Sequence, residues 1–511
     1  MKRGGLIVVL LLMAVLLLPA PAHSAAAPQH VLLLYDSLAK GTAREGNVAE
    51  LQRLLAAYST KVTVLSLDEY EKGTLDSYSR VITVINRADL SITNGNYLQD
   101  IESFQGKLLY TGYSIPGRMK QELHLTTAVW SEGSVALSVG GFSGTHLQVE
   151  EMPYIAASKA ARSYGSLSFQ DGEHEVPYAV SGGQYTYAPY LKQGDASAAA
   201  MAYVLKDWLA YSKAPHTYLL LKEIYPFSNL DLLEKAADQL YQNGIPFIAS
   251  VQPVFGNTDF PAMKRYLEAL KIVQSRNGSI LVNVPAVRPP INSNDFSLHD
   301  KMNGFINVLI NNGLAPLGVG AESYWSYDKE YAGRGMSFFD SAVLYPDVEA
   351  RYMDQTNVSK VFPSSVYSLT PEFLQGLGHS SKSTPELPMD IAVTYDFPDS
   401  EEGLEKLLQS LDQAWIAFAD YKHEAHKVVT DTNTVLSSDG VIRVNGKELN
   451  VDYTPEAVSS DYSYKEKQFQ SFTKLFSVQN KFFIVVIIAA LLLLAVLLLF
   501  GYRLYRKKYL K

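Results

Sequence analysis

The stretch from Tyr218 to Phe255 restricts the fold of this chain more than any other. It reads Tyr218-Leu-Leu-Leu-Lys-Glu-Ile-Tyr-Pro-Phe-Ser-Asn229, then a helical pattern, then Ile245-Pro-Phe-Ile-Ala-Ser-Val-Gln-Pro-Val-Phe255. The apolar run from Tyr218 to Leu221 suits a strand buried on both faces. Ser228 or Asn229 is placed to cap the following helix, in which Leu232, Leu233, Ala236, Leu240 and Tyr241 recur at helical spacing. Asn243-Gly244 ends that helix, and a second apolar strand opens after Pro246. A strand–helix–strand unit this short makes its two strands parallel neighbours in a sheet or barrel. Polar residues at the C-terminal end of the first strand, Lys222 and Glu223, then stand where such folds carry their chemistry.

The alternation continues beyond this unit. Strand-like segments at about 279–284, 315–319, 342–346, 360–363 and 389–395, added to the two above, give about seven, as in an incomplete (β/α) barrel over 216–430. Upstream, strands near residues 31, 61, 80 and 107, with helical patterns at about 46–57 and 97–104, predict a small flavodoxin-like α/β domain over 28–125. Its first loop, Asp36 to Asn47, has the position of a phosphate cradle but neither glycine fingerprint, so a plain surface loop is expected. Short alternating segments over 126–195 predict antiparallel β structure, an insertion or subdomain beside that sheet. Asn445-Gly446 marks a hairpin turn in the segment 431–480, which otherwise reads as a stalk.

The two ends set the topology. Lys2 and Arg3, an apolar run from Leu6 to Leu18 and a small-residue stretch read as a signal peptide over 1–25. Phe482 to Gly501 carries no charge and is long enough to span a bilayer. The cations at Arg503, Arg506, Lys507, Lys508 and Lys511 make 502–511 a basic tail, which stays cytoplasmic. The expected protein is therefore single-pass in the cell membrane, with its bulk extracytoplasmic. The net charge is −8 even with these terminal cations included, so the exposed body is acidic, and no nucleic acid is expected as partner. Cysteine is absent, which excludes disulfides and thiolate chemistry.

The runs Gly244-Ile-Pro-Phe247 and Val251-Gln-Pro-Val254 resemble the polysaccharide deacetylase-like (NodB-homology) superfamily, in particular a poorly characterised bacterial branch, over roughly residues 216–425. Active members use an acidic base, an adjacent acidic metal ligand and two histidines to hold a divalent ion that activates water. At the matching positions this chain has Lys222, Glu223, Asn283 and Val287. A charged lysine accepts no proton and valine binds no metal. The resemblance thus implies a barrel with a degenerate site, without metal or cofactor and catalytically inactive, whose partner is an envelope or extracellular polysaccharide. An active carbohydrate deacetylase or hydrolase with a divergent site is the alternative. Binding residues expected at the barrel mouth are Glu223, Gln252, Asn283, Glu322, Tyr324, Trp325, Asp328 and Asp396, with Tyr327 beside them. Lys222 is expected to replace the ion's charge, paired with Glu223 and Glu322 in a buried cluster. His423 and His426 have ligand-like spacing but read as solvated histidines on a helix face.

Overall fold

The computed structural model describes residues 28–89, 92–169, 175–285, 294–347, 358–377, 386–414, 416–453 and 473–509. The signal-like segment, Val287 and residues 454–472 lie outside these. The chain divides into a globular unit up to Thr454 and a second unit from Pro455 onward.

In the globular unit, β1 (His30–Tyr35), β2 (Lys61–Ser66), β3 (Arg80–Ile85) and β4 (Lys107–Gly112) are parallel. The β-rich segment supplies β5 (Thr126–Trp130), β6 (Gly133–Val139), β7 (Phe142–Val149), β8 (Met152–Ala157), β9 (Arg162–Phe169), β10 (Glu175–Gly182) and β11 (Tyr185–Ala188). It is not a separate layer. β11 pairs parallel with β4, and β10, β9, β6 and β7 continue the same sheet antiparallel, in the order β2-β1-β3-β4-β11-β10-β9-β6-β7. Only β5 and β8 pair apart from it.

The barrel comprises β12 (Thr217–Ile224), β13 (Phe247–Val251), β14 (Gly278–Asn283), β15 (Pro316–Glu322), β16 (Ser341–Tyr345), β17 (Ser364–Leu369) and β18 (Ile391–Asp396). All seven are parallel, and β18 pairs back onto β12, so the barrel is closed rather than open. The strand expected at 360–363 lies at Ser364–Leu369 instead. Its serines and tyrosine lack the aliphatic run that marks the other strands, although every residue in it is buried. Asn229 caps the first barrel helix, its side chain accepting from the Leu232 amide, a contact typically worth about 1 kcal/mol. Gly244, with φ +68°, takes the left-handed conformation that ends it.

The barrel and the N-terminal sheet share a core. Helix Asn47–Ala57 has every residue except Ala49 buried. Its Leu51, Leu54 and Leu55 join Val31 and Leu33 of β1 and Tyr367, Leu369, Ile391 and Val393 of the barrel in one apolar cluster.

Four antiparallel strands, β19 (His426–Val429), β20 (Thr434–Ser438), β21 (Val441–Val444) and β22 (Lys447–Glu448), follow the barrel. Asn445-Gly446 forms the predicted turn, both residues at positive φ. This sheet packs on the barrel: Val428, Val435 and Ile442 belong to the barrel's own core. Just before it, Tyr421 is fully buried and meets the ring of Tyr218 edge-on at 5.3 Å. A Cβ on Gly318 would come within 2.9 Å of the Tyr421 hydroxyl, so β15 carries glycine where that ring enters. His426 is not on a helix face. It opens β19, buried, with Nδ1 2.7 Å from Ser341 Oγ and Nε2 2.6 Å from the Tyr421 carbonyl.

The second unit contains helix Thr473–Tyr509, the only one among the described residues long and apolar enough to cross a membrane, by length and composition. The basic residues from Arg503 to Lys508 are part of that helix rather than of an extended tail.

Candidate functional site at the barrel mouth

Along each parallel strand alternate residues point inward, and the last inward residues ring the C-terminal mouth. They enclose an open cavity of about 440 Å³. Lys222, Glu223, Gln252, Asn283, Glu322, Trp325 and Asp396 line it, so seven of the expected site residues are brought together from four strands, the loop after β13 and the turn after β15.

The floor is neutral and polar. Asn283 is 6% exposed, and its Oδ1 accepts from Ser250 Oγ at 2.6 Å and from the Tyr345 hydroxyl at 3.2 Å. Ser250 and Tyr345 are themselves 2.9 Å apart. With its oxygen committed, Asn283 presents its amide N–H groups to the cavity. Gly320 makes room for this network: a Cβ there would lie 2.4 Å from Asn283 Oδ1 and 2.5 Å from the Tyr345 hydroxyl. Ser368 and Thr394, 2.7 Å apart, extend the hydroxyl-rich floor.

The rim is charged and mostly acidic: Glu223, Glu322, Asp347, Glu372 and Asp396 surround Lys222. Lys222 does not form the buried cluster expected with the two glutamates. Its ammonium lies 3.2 Å from Asp396, its register partner across β12 and β18, and 3.8 Å from Glu223. The lysine side chain is 34% exposed, so water screens these pairs. Lys222→Ala should therefore change stability by under about 1 kcal/mol in thermal denaturation. A loss of several kcal/mol would restore the buried pair. Glu223 sits at an irregularity in the β12–β13 pairing with φ +66°, a left-handed conformation that costs a glutamate roughly 1–2 kcal/mol. Such strain recurs where a side chain must be aimed at a site.

Four of the expected residues are held in other contacts. Trp325 touches the cavity but is 2% exposed, and one face is stacked on Tyr331 at 4.1 Å. Tyr324 packs edge-on against it and donates its amide to Asp347, so neither ring is a free platform. Asp328 caps helix Lys329–Gly335, accepting from the Tyr331 amide. Tyr327 is buried towards helix Asn47–Ala57, its hydroxyl 3.4 Å from the Gln52 carbonyl. Inward parity would have found Ser250 and Thr394, two residues before Gln252 and Asp396. Glu372 follows β17, whose serines and tyrosine give no aliphatic run to mark where that strand ends.

The residues at the deacetylase positions do not fit a divalent ion. Lys222 brings a positive charge to the spot, and Asn283 Oδ1 is occupied by two donors. Among the described residues, no three or more of His, Cys, Asp and Glu are grouped to hold a metal. At the N-terminal sheet, the segments leaving β1 and β3 are tied to each other by hydrogen bonds. Asp36 accepts from the amides of Asn86 and Arg87, and Asn86 in turn bonds Ser37 and Asn47.

Fold and site together define a closed seven-stranded parallel (β/α) barrel with a hydroxyl- and amide-floored, acid-rimmed mouth. No protein-family model matches the chain, and no curated protein matches its sequence.

Proposed function

We propose that this protein binds a polysaccharide or other glycan in the barrel mouth, without turning it over through a metal. The single observation that supports this most is the floor: buried Asn283 and Ser250 and half-buried Tyr345, joined to one another, offer neutral hydrogen-bonding groups suited to sugar hydroxyls. The barrel is read as a degenerate relative of the deacetylase-like superfamily, supported by the motif match and the misfit of its ligand positions to an ion. The N-terminal domain is read as flavodoxin-like, supported by the parallel order β2-β1-β3-β4-β11.

The test is a printed panel of neutral, amino and acidic oligosaccharides, probed with the full chain and with Gly320→Ala. Binding by the wild type and its loss in the variant, whose new methyl displaces Asn283 and Tyr345, is the expected outcome. Binding unaffected by that methyl would move the ligand elsewhere. A strained carboxylate at the mouth, Glu223, favours a second reading as a hydrolase of divergent mechanism. Release of sugar or acetate from a bound panel member, abolished in Glu223→Gln, would establish it.

The apolar C-terminal helix is read as a membrane anchor, with the barrel extracytoplasmic and the basic end cytoplasmic. Protease added to intact cells should then digest the globular unit and spare a small C-terminal fragment. A protected globular unit would reverse the orientation.

A further inference from the structure

Exposed phenylalanine is unevenly distributed over the globular unit. Among its described residues four phenylalanines are exposed: Phe227 at 83%, Phe255 at 37%, Phe260 at 52% and Phe296 at 56%. All four stand on the loops that follow β12, β13 and β14, three consecutive strands, on the mouth side of the barrel. Phe296 is covered on one face by the Arg334 guanidinium, 3.7 Å from its centroid, and Lys301 lies 6.0 Å from that of Phe255. Exposed apolar rings grouped on one rim oppose the hydrophobic effect, and such grouping marks a contact surface.

The most exposed ring is also held in place. Phe227 lies parallel on Tyr225, with centroids 4.8 Å apart and planes 19° apart. The turn carrying both is closed by two hydrogen bonds, from the Tyr225 amide to Ser228 Oγ at 3.0 Å and from the Ser228 amide to the Tyr225 carbonyl at 3.1 Å. Asn229 then caps the next helix. The outer face of Phe227 is thus a rigid flat surface, on the loop that leaves the cavity directly after Lys222 and Glu223.

We infer that the ligand of the mouth is a non-acidic oligosaccharide that continues out of the cavity, with a sugar ring stacked on Phe227 and the chain directed across the loop of Phe255 and Phe260. This rests on the glycan reading of the cavity and adds its length, path and charge. A pyranose presents an apolar C–H face to an aromatic ring while its hydroxyls remain in water, which suits separate exposed rings such as Phe227 and Phe260 on loops that also carry Ser228, Asn229, Asn257 and Asp259. A protein partner would call for a continuous apolar patch, and an anionic lipid surface is repelled by the carboxylates around the mouth. The same charge disfavours uronic-acid or phosphate-bearing chains.

The experiment uses the full chain in detergent micelles and titrates dimers and hexamers of β-linked glucan, N-acetylglucosaminan and glucosaminan, with oligogalacturonate as the acidic control. The hexamer of at least one non-acidic series should bind about tenfold or more tighter than its dimer. Phe227→Ala, at an exposed position that leaves the fold intact, should remove about that factor from the hexamer and leave the dimer unchanged, while Phe227→Trp should retain it. Equal affinity for dimer and hexamer, indifference to Phe227→Ala, or preferential binding of oligogalacturonate each overturns this inference but leaves the glycan reading standing. Failure of every oligomer at both lengths overturns both.

Discussion

Replacing Arg53 by methionine should destabilise the protein by about 3–5 kcal/mol, the largest single effect expected outside the apolar core. Arg53 and Glu50 lie one turn apart on helix Asn47–Ala57, with side chains 7% and 0% exposed. The guanidinium donates to both carboxylate oxygens of Glu50, at 3.0 and 3.1 Å, and to the Ser368 carbonyl on β17 at 2.6 Å. It also lies over the ring of Tyr367, 3.8 Å from the centroid, and Tyr367 donates its hydroxyl to Glu50. Removing the cation leaves a carboxylate in a dry interface, and its desolvation is then uncompensated. Because these contacts cross from helix to barrel, the N-terminal sheet should loosen from the barrel as the pair is broken. The double variant Glu50→Leu, Arg53→Met removes both charges and should recover most of the loss. Chemical denaturation of the three proteins checks this. A single variant within 1 kcal/mol of wild type would mean that water reaches the pair.

The second large effect appears only as acid is added. Burial pushes the His426 imidazolium down to about 4, against an ordinary value near 6.5. The Tyr421 carbonyl can only accept, so Nε2 carries the proton and Nδ1 accepts from the Ser341 hydroxyl; the ring is neutral in the fold. Between about pH 6.5 and 4 the unfolded chain binds a proton here that the folded chain refuses. Stability from this group is therefore complete above pH 6.5 and falls as pH falls, by about 2 kcal/mol at pH 5 and about 3 at pH 4. Asp195 opposes it. Burial raises that carboxyl to about 6, so the folded state favours its protonated form and gains stability as pH falls. The two trends partly cancel in the wild type, and the informative quantity is a difference between proteins. His426→Gln keeps a donor for the Tyr421 carbonyl and cannot be protonated. It should be less stable than wild type at pH 8, and that gap should narrow by about 2 kcal/mol at pH 5. A gap that is constant from pH 8 to 5 would mean His426 titrates normally.

Neither site was visible in the one-dimensional pattern. Glu50 and Arg53 stand one turn apart on a helix, and nothing in the neighbouring residues announces that a barrel strand will cover them. His426 reads as a polar residue after a helix, since its burial depends on a small sheet closing the barrel base. The cavity was more legible. Parallel strands place their last residues at one end, so locating β12, β13, β14 and β15 was enough to nominate Lys222, Gln252, Asn283 and Glu322. What each does there was not legible. The partner of Lys222 is chosen by register, through Asp396 on β18, 174 residues further along the chain, and not by the neighbouring Glu223 alone. Trp325 and Tyr327 looked like ligand platforms because aromatic residues after a barrel strand suit either use. Packing decided against both, and left Phe227, stacked on Tyr225 with its outer face in water, as the most exposed ring at the mouth.

By itself, the sequence determined the α/β alternation, the parallel barrel, the hairpin at Asn445-Gly446 and one apolar helix able to cross a membrane. These follow from periodicity, turn chemistry and length, which act over a few residues and are written into them. The tertiary structure alone decided that the β-rich segment extends the first sheet and that seven strands close. It also decided that helix Asn47–Ala57 is buried between two layers, and which side chains meet at the mouth. Each of those depends on contacts between segments remote in the chain, where burial and register set the partner and the local residues do not.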